Sequence, residues 1–212
     1  EALERIAQAT DNAVPADPEE RLNAVLYLRL QTAGGLGTGT AFLVSPQGDV
    51  LTCAHCVRDA VKVEIRIGYR DGQPVWCPCQ VLLADEARDI AVIRLERGDS
   101  YPCIPLAPAD YNCRIGEPVW MPGFPKGLTN LHLYDGRVAA GIKRTRGVRE
   151  VVDLQIEGKH GNSGSPVLLE DGYAGGIFQG AFGETGDEVN FMAHIRNFWA
   201  LAREAYGEAD EA

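Results

Sequence analysis

The chain has 212 residues, 45% of them hydrophobic, with 24 glycines and 12 prolines. That is enough apolar material for a substantial core, and the glycine and proline content suits an all-β chain with many tight turns. A net charge of −10 argues against nucleic-acid and anionic-membrane partners, which need a basic surface, and no apolar run approaches the roughly 18 residues that span a bilayer.

Glu1 to Ala9 is expected to be a short helix with Leu3 and Ile6 on one face, and Thr10 to Glu20, with Pro15 and Pro18, a linker. Residues 1–22 therefore read as a solvated N-terminal helix and linker, a tether to a regulatory partner or a larger parent protein. No signal peptide is visible and the first residue is Glu1, as in a trimmed or mature form; a cytoplasmic location is favoured over a secreted one. Leu26, Leu28 and Leu30 alternate with Tyr27, Arg29 and Gln31 at the period of a half-buried strand. Thr40 to Val44 is a short apolar strand, followed by a turn from Ser45 to Asp49. Val63, Ile65 and Ile67 alternate with Lys62, Glu64 and Arg66, and Arg70-Asp71-Gly72 closes that hairpin. Pro74 to Leu83 and Ile90 to Leu95 complete a first set of about six strands.

A second set follows: Pro118 to Met121, Val138 to Lys143, Val148 to Ile156, Ser165 to Leu169, Gly175 to Phe182 and Val189 to His194. Turn signals at Asp135-Gly136, Arg146-Gly147, Asp171-Gly172 and Thr185-Gly186-Asp187 punctuate it. Two runs of short strands suit two small closed barrels or one sandwich. Ile195 to Tyr206 reads as a closing helix and Gly207 to Ala212 as an acidic tail.

Three segments carry chemistry. In Gly161-Asn162-Ser163-Gly164-Ser165-Pro166 a hydroxyl nucleophile sits among small residues. Gly161 has no Cβ, so its N–H can turn, with that of Ser163, toward a substrate carbonyl as an oxyanion hole. A nucleophilic Ser needs a base and a group that orients the base. Leu51-Thr52-Cys53-Ala54-His55-Cys56 places a His just after a strand, and Asp89 opens the apolar strand Ile90 to Leu95. Taken singly, each has a plain reading as a turn, a loop His and a strand-opening Asp; together they form a candidate triad.

In that order, TCAHC, DIAVIRL and GNSGSP resemble the chymotrypsin/trypsin clan of serine proteases, over roughly residues 24 to 206. His55 and Asp89 are 34 residues apart, and Asp89 and Ser163 are 74 apart, closer to the short-loop bacterial HtrA-type and glutamyl-endopeptidase-type enzymes than to digestive trypsins. The resemblance implies two six-stranded antiparallel Greek-key barrels with the active site between them and a short C-terminal helix. The protease domain would span 23–206, with barrel one at about 23–108, barrel two at about 109–194 and the helix at 195–206. It implies a serine endopeptidase working through an acyl-enzyme, with His55, Asp89 and Ser163 as triad, protein or peptide substrates, and no metal or organic cofactor. A non-catalytic protein-binding module and an esterase are the alternatives. By the same resemblance, Glu157, six places before the nucleophile, forms the base of the primary pocket and Gly180 and Ala181 line it, which implies Arg or Lys before the scissile bond. A small or aliphatic preference, with Phe178 or Phe191 narrowing the pocket, is the alternative.

Some positions depart from these families. No PDZ module fits after Tyr206, Gly176-Ile177-Phe178 stands where glutamyl enzymes have Gly-Ile-His, and no Cys precedes Cys53. Asn162 replaces the Asp that trypsins use to sense a freed N-terminus. His160 is expected in an exposed loop at the cleft rim, and His132 and His194 in structural roles. Cys77, Cys79, Cys103 and Cys113 have irregular spacing for a zinc site and read better as buried thiols. Cys53 and Cys56 bracket His55, where a thiolate and an imidazole can capture zinc or copper; the pair is expected to be too cramped to bond to itself.

Overall fold

The computed structural model describes residues 1–12, 17–96, 100–145, 147–182 and 188–206. Its first sheet is built from β1 (Val25–Thr32), β2 (Gly35–Leu43), β3 (Asp49–Thr52), β4 (Ala60–Arg70), β5 (Gln73–Asp85) and β6 (Ile90–Leu95). They close into a barrel in the order β1-β2-β3-β6-β5-β4. The alternation read from the sequence explains the closure: Leu28, Val50, Ile65 and Ile93 share one face of the sheet by register and are fully buried. At the β4–β5 turn Asp71 and Gly72 both have positive φ, 51° and 75°, the conformation that Asp-Gly supplies for a two-residue hairpin.

The second sheet comprises β7 (Pro118–Gly123), β8 (His132–Val138), β9 (Lys143–Arg144), β10 (Glu150–Gln155), β11 (Pro166–Leu168), β12 (Ala174–Phe182) and β13 (Val189–His194). Its order is β13-β12-β11-β7-β8-β10-β9, and β10 also pairs with β13, which closes six strands into a second barrel and leaves β9 at the edge. Val119, Met121, Val152, Val167, Phe178 and Met192 share its inner face and are buried.

Several expectations need correction. Asp135-Gly136 is no turn but lies inside β8, where Gly136 pairs with Val119. A side chain on Gly136 would strike the Gln155 carbonyl and Ile156, so this glycine serves close strand approach. The strand expected from Val138 to Lys143 does not form. Ala139 and Ala140 both donate to the Asp153 carbonyl, at 2.8 and 3.4 Å, which ends the regular ladder. Arg146, Thr185-Gly186-Asp187, Pro15 and the 207–212 tail lie outside the described residues.

The N-terminal segment is not the solvated helix and linker expected. Helix α1 (Ala2–Asp11) packs on the first barrel: Ile6 is fully buried, and Thr10 Oγ1 accepts from the Leu106 N–H at 3.3 Å. Arg5 grips the buried carboxylate of Asp49 with two bonds, 2.8 and 2.7 Å, which also accepts from Ser45 Oγ at 2.7 Å and Arg94 at 3.0 Å. Within the expected linker, Pro18 instead opens a short helix α2 (Pro18–Asn23), whose N-cap Asp17 accepts from the Glu19 N–H. After α3 (Ala54–Val57), the chain closes with α4 (Arg196–Tyr206). It is anchored by fully buried Phe198, by Trp199 Nε1 donating to the Ala107 carbonyl at 2.8 Å, and by the Arg88–Glu204 ion pair.

Candidate active site

Thr40 on β2 is where the two barrels meet. Its N–H donates to the Ser163 carbonyl at 3.0 Å and its hydroxyl to the Gly161 carbonyl at 2.8 Å. That hydroxyl also accepts from the Phe124 N–H at 3.0 Å. One buried side chain of barrel one thereby holds the 161–163 loop of barrel two.

Gly161 and Gly164 flank Ser163 with φ of +94° and +90°, a region that costs a side-chain-bearing residue of the order of 1 kcal/mol. Space forbids substitution as well: a Cβ at Gly161 would strike the Phe124 carbonyl, and one at Gly164 the Thr40 carbonyl and Thr52 Oγ1. The loop is also tied at His160, whose carbonyl accepts from the Lys126 N–H. In this geometry the N–H groups of Gly161 and Ser163 donate to no acceptor among the described residues. The Asn162 side chain is buried, and its amide has no partner among the described residues.

Asp89 is one of three non-glycine residues with positive φ among those described, at 56°. This bend just before β6 turns its carboxylate toward α3, where Oδ1 accepts from the His55 backbone N–H at 2.8 Å and Oδ2 lies 2.7 Å from His55 Nδ1. The carboxylate is nearly buried while the imidazole is 38% exposed to the cleft. The bond to Asp89 and, next, the Cys56 thiol push the His55 pKa up to about 10, outweighing the burial that would lower it. Ser163 Oγ donates to the Gln179 carbonyl at 3.1 Å, and no hydrogen bond joins it to His55 in this rotamer.

Two residues that the sequence did not single out complete the surroundings. Gln179 sits at a β-bulge in β12. Its Nε2 donates to the carbonyls of Arg88 at 3.2 Å and Asp89 at 3.1 Å. Its Oε1 accepts from Arg149 Nη1 at 3.2 Å, and the same guanidinium lies 3.7 Å from Asp89 Oδ2. No local motif marks either residue, because both reach the site from the second barrel.

The pocket residues are divided. Gly180, φ +146°, has open space where a Cβ would stand, and Ala181 is exposed. Glu157 is not the buried carboxylate expected: its side chain is 77% exposed and lies 3.3 Å from Lys159 Nζ. Packing explains the orientation. Asn190 Nδ2 donates to the Ile156 carbonyl at 2.7 Å, and a Cβ on Gly158 would strike the Phe178 ring and Asn190 Oδ1. The 156–158 segment is thus pressed against Phe178, with Ile156 buried and Glu157 turned out. Of the other histidines, His160 is exposed. His194 is buried and stacked on Tyr111 at 5.2 Å, and its pKa is pushed down to about 4 by burial and then by Arg196. All six cysteines are thiols, and Cys77, Cys79, Cys103 and Cys113 do not gather into a ligand set; the cluster found among the described residues is Cys53, His55 and Cys56.

Residues 39–177 match the family model described as "Trypsin-like peptidase domain". The chain belongs to this family. Relatives of this trypsin-like domain include "Probable periplasmic serine endoprotease DegP-like" of Pseudomonas fulva, 29% identical over 165 residues, covering 74% of this chain and 32% of that protein. "Serine protease HTRA2, mitochondrial" of Bos taurus is 29% identical over 150 residues, covering 67% of this chain and 31% of that protein. The trypsin-like domain thus spans about a third of the length of these curated relatives. Among solved structures, "HtrA-type protease AlgW with tripeptide" superposes with a TM-score of 0.71 at 23% identity, covering 97% of this chain and 64% of that one. At that identity the likeness concerns the fold, and it agrees with the double barrel described above.

Proposed function

We propose that this domain is a serine endopeptidase in which Ser163 is the nucleophile, His55 the general base and Asp89 the group that orients the base. The observation that carries the reading is the double clamp of Asp89 on the backbone and ring of His55, together with a serine loop in which the N–H groups of Gly161 and Ser163 have no acceptor among the described residues. Rotation of Ser163 about χ1 exchanges the Gln179 carbonyl for His55 Nε2. As Oγ attacks a peptide carbonyl, its proton passes to Nε2. Asp89 holds the Nδ1–H tautomer and stabilises the imidazolium. The developing oxyanion takes the N–H groups of Gly161 and Ser163. His55 then protonates the leaving amine, and water, activated by the same imidazole, releases the acyl group from Ser163.

We further propose an uncharged primary pocket. With Glu157 turned to solvent and Phe178 and Asn190 against Gly158, a small or aliphatic side chain suits the site better than the Arg or Lys that a buried carboxylate would favour. The test of the activity is labelling by a fluorophosphonate probe together with hydrolysis of labelled casein. Wild type is expected to do both and Ser163→Ala neither. Labelling that survives the substitution would overturn the nucleophile, hydrolysis of a simple ester but not of casein would make the domain an esterase, and neither reaction would leave a binding module on a protease fold.

A further inference from the structure

Cys53 is the N-cap of α3, extended at φ −77° and ψ 143°, and the Cys56 N–H donates to its carbonyl at 3.2 Å. One turn of helix therefore brings together the two thiols that bracket His55, which both remain free. The donor atoms of Cys53, His55 and Cys56 all lie within 4.8 Å of one another. We propose that these three residues form a binding site for a thiophilic divalent cation, zinc being the natural candidate, and that its occupancy switches the protease off. The switching half rests on His55 being the catalytic base; the binding half does not.

The chemistry of the donor set supports this. Two thiolates and an imidazole are preferred zinc ligands, with bonds of about 2.3 Å to sulfur and about 2.0 Å to nitrogen. Tetrahedral bonds of those lengths space the donors about 3.5 to 3.8 Å apart, so a rotamer change of about 1 Å closes the triangle. Both thiols are held at the site by backbone carbonyls: Cys53 Sγ donates to the Phe178 carbonyl at 3.3 Å and Cys56 Sγ to the Ser163 carbonyl at 3.9 Å. Cys53 is fully buried; the cation displaces the thiol protons, and His55 binds as the neutral ring. Entry is from the cleft, where His55 and Cys56 are partly exposed. Either ring nitrogen gives the same outcome. A metal on Nε2 occupies the lone pair that would take the Ser163 proton, and a metal on Nδ1 displaces Asp89. The fourth coordination position would be left to water.

Binding is read on chelator-treated Ser163→Ala protein, which separates it from turnover. Cadmium is the spectroscopic probe, through its thiolate charge-transfer absorption, and zinc alone is titrated by calorimetry. One equivalent of each is expected to bind, at least tenfold more weakly in Cys56→Ser and in Cys53→Ala. In wild type, zinc over the same concentration range is expected to abolish casein hydrolysis, and a chelator to restore it; whatever activity Cys56→Ser retains should be insensitive. Should Cys53→Ala fail to fold, Cys56→Ser, at a partly exposed position, decides the assignment. Undiminished binding by these variants would overturn the site, and stoichiometric zinc with full hydrolysis would overturn the switch. Metal-free wild type that hydrolyses nothing would overturn the proposed function while the titration still decides the site.

Discussion

Gln179 joins the two halves of the site: its side-chain Nε2 donates to the backbone carbonyl of Asp89 at 3.1 Å. Its own backbone carbonyl takes the hydroxyl hydrogen of Ser163 at 3.1 Å. One residue of barrel two thus touches Asp89 of barrel one and Ser163 of its own barrel. Arg149 completes the link by reaching both Gln179 Oε1 and the Asp89 carboxylate.

From this we predict that Arg149 is a positioning residue. Arg149→Met removes a cation near Asp89, so the carboxylate's hold on the His55 imidazolium tightens and the acid limb of the kcat/KM profile moves to higher pH. The loss of the Gln179 contact should lower kcat about tenfold, equivalent to about 1.4 kcal/mol of barrel-to-barrel alignment. A purely structural role would lower the amount of folded protein and leave the limb in place.

The pH dependence follows from His55 itself. As the proposed general base, His55 would work as neutral imidazole, and its pKa is raised from 6.5 to about 10 by Asp89 and Cys56, so activity should rise with pH through the alkaline side of the ordinary histidine range. Cys56→Ser removes the thiolate that favours the imidazolium, and its acid limb should shift to lower pH. Asp89→Asn should cost on the order of 10⁴ in kcat, because the ring loses its tautomer. Profiles of kcat/KM against pH check both; an unmoved limb in Cys56→Ser would detach that thiol from the base.

Arg5 makes a prediction about stability. Burial would raise the Asp49 pKa, but bonds from Arg5 and Ser45 and the nearby Arg94 outweigh it and hold the carboxyl below its ordinary value. A depressed carboxylate contributes stability that is present above the unfolded-state pKa and lost as pH falls through the folded one. Arg5→Ala should therefore cost about 1–3 kcal/mol at neutral pH and much less in strong acid. Urea unfolding at pH 7 and below pH 3 checks it: an equal loss at both would assign the effect to packing of α1.

Specificity is tested at Glu157. With its side chain 77% exposed, Glu157→Gln should change kcat/KM by less than about twofold on substrates with Arg, Leu or Ala before the scissile bond, with Leu or Ala preferred. An Arg preference that collapses in the variant would place the carboxylate in the pocket after all.

The sequence by itself determined the local elements and three motif segments of this protein. Strand alternation is a period-two property of consecutive residues, so Leu26 to Leu30 and Val63 to Ile67 were legible without partners, as was the Asp71-Gly72 turn. His55, Asp89 and Ser163 stood out because each lies in a short run of distinctive neighbours. Tertiary structure decided what depends on contacts between distant segments. Asp135-Gly136 carries a turn signal, yet Gly136 lies within β8, where the approach of Gln155 and Ile156 leaves no room for a side chain. α1 reads as a solvated helix until the buried Asp49 gives Arg5 a partner 44 residues away. Glu157 faces water because Phe178 and Asn190, more than 20 residues further on, occupy the space beside Gly158. Gln179 and Arg149 reach Asp89 from the other barrel, and such a long-range approach leaves no mark in the order of neighbouring residues.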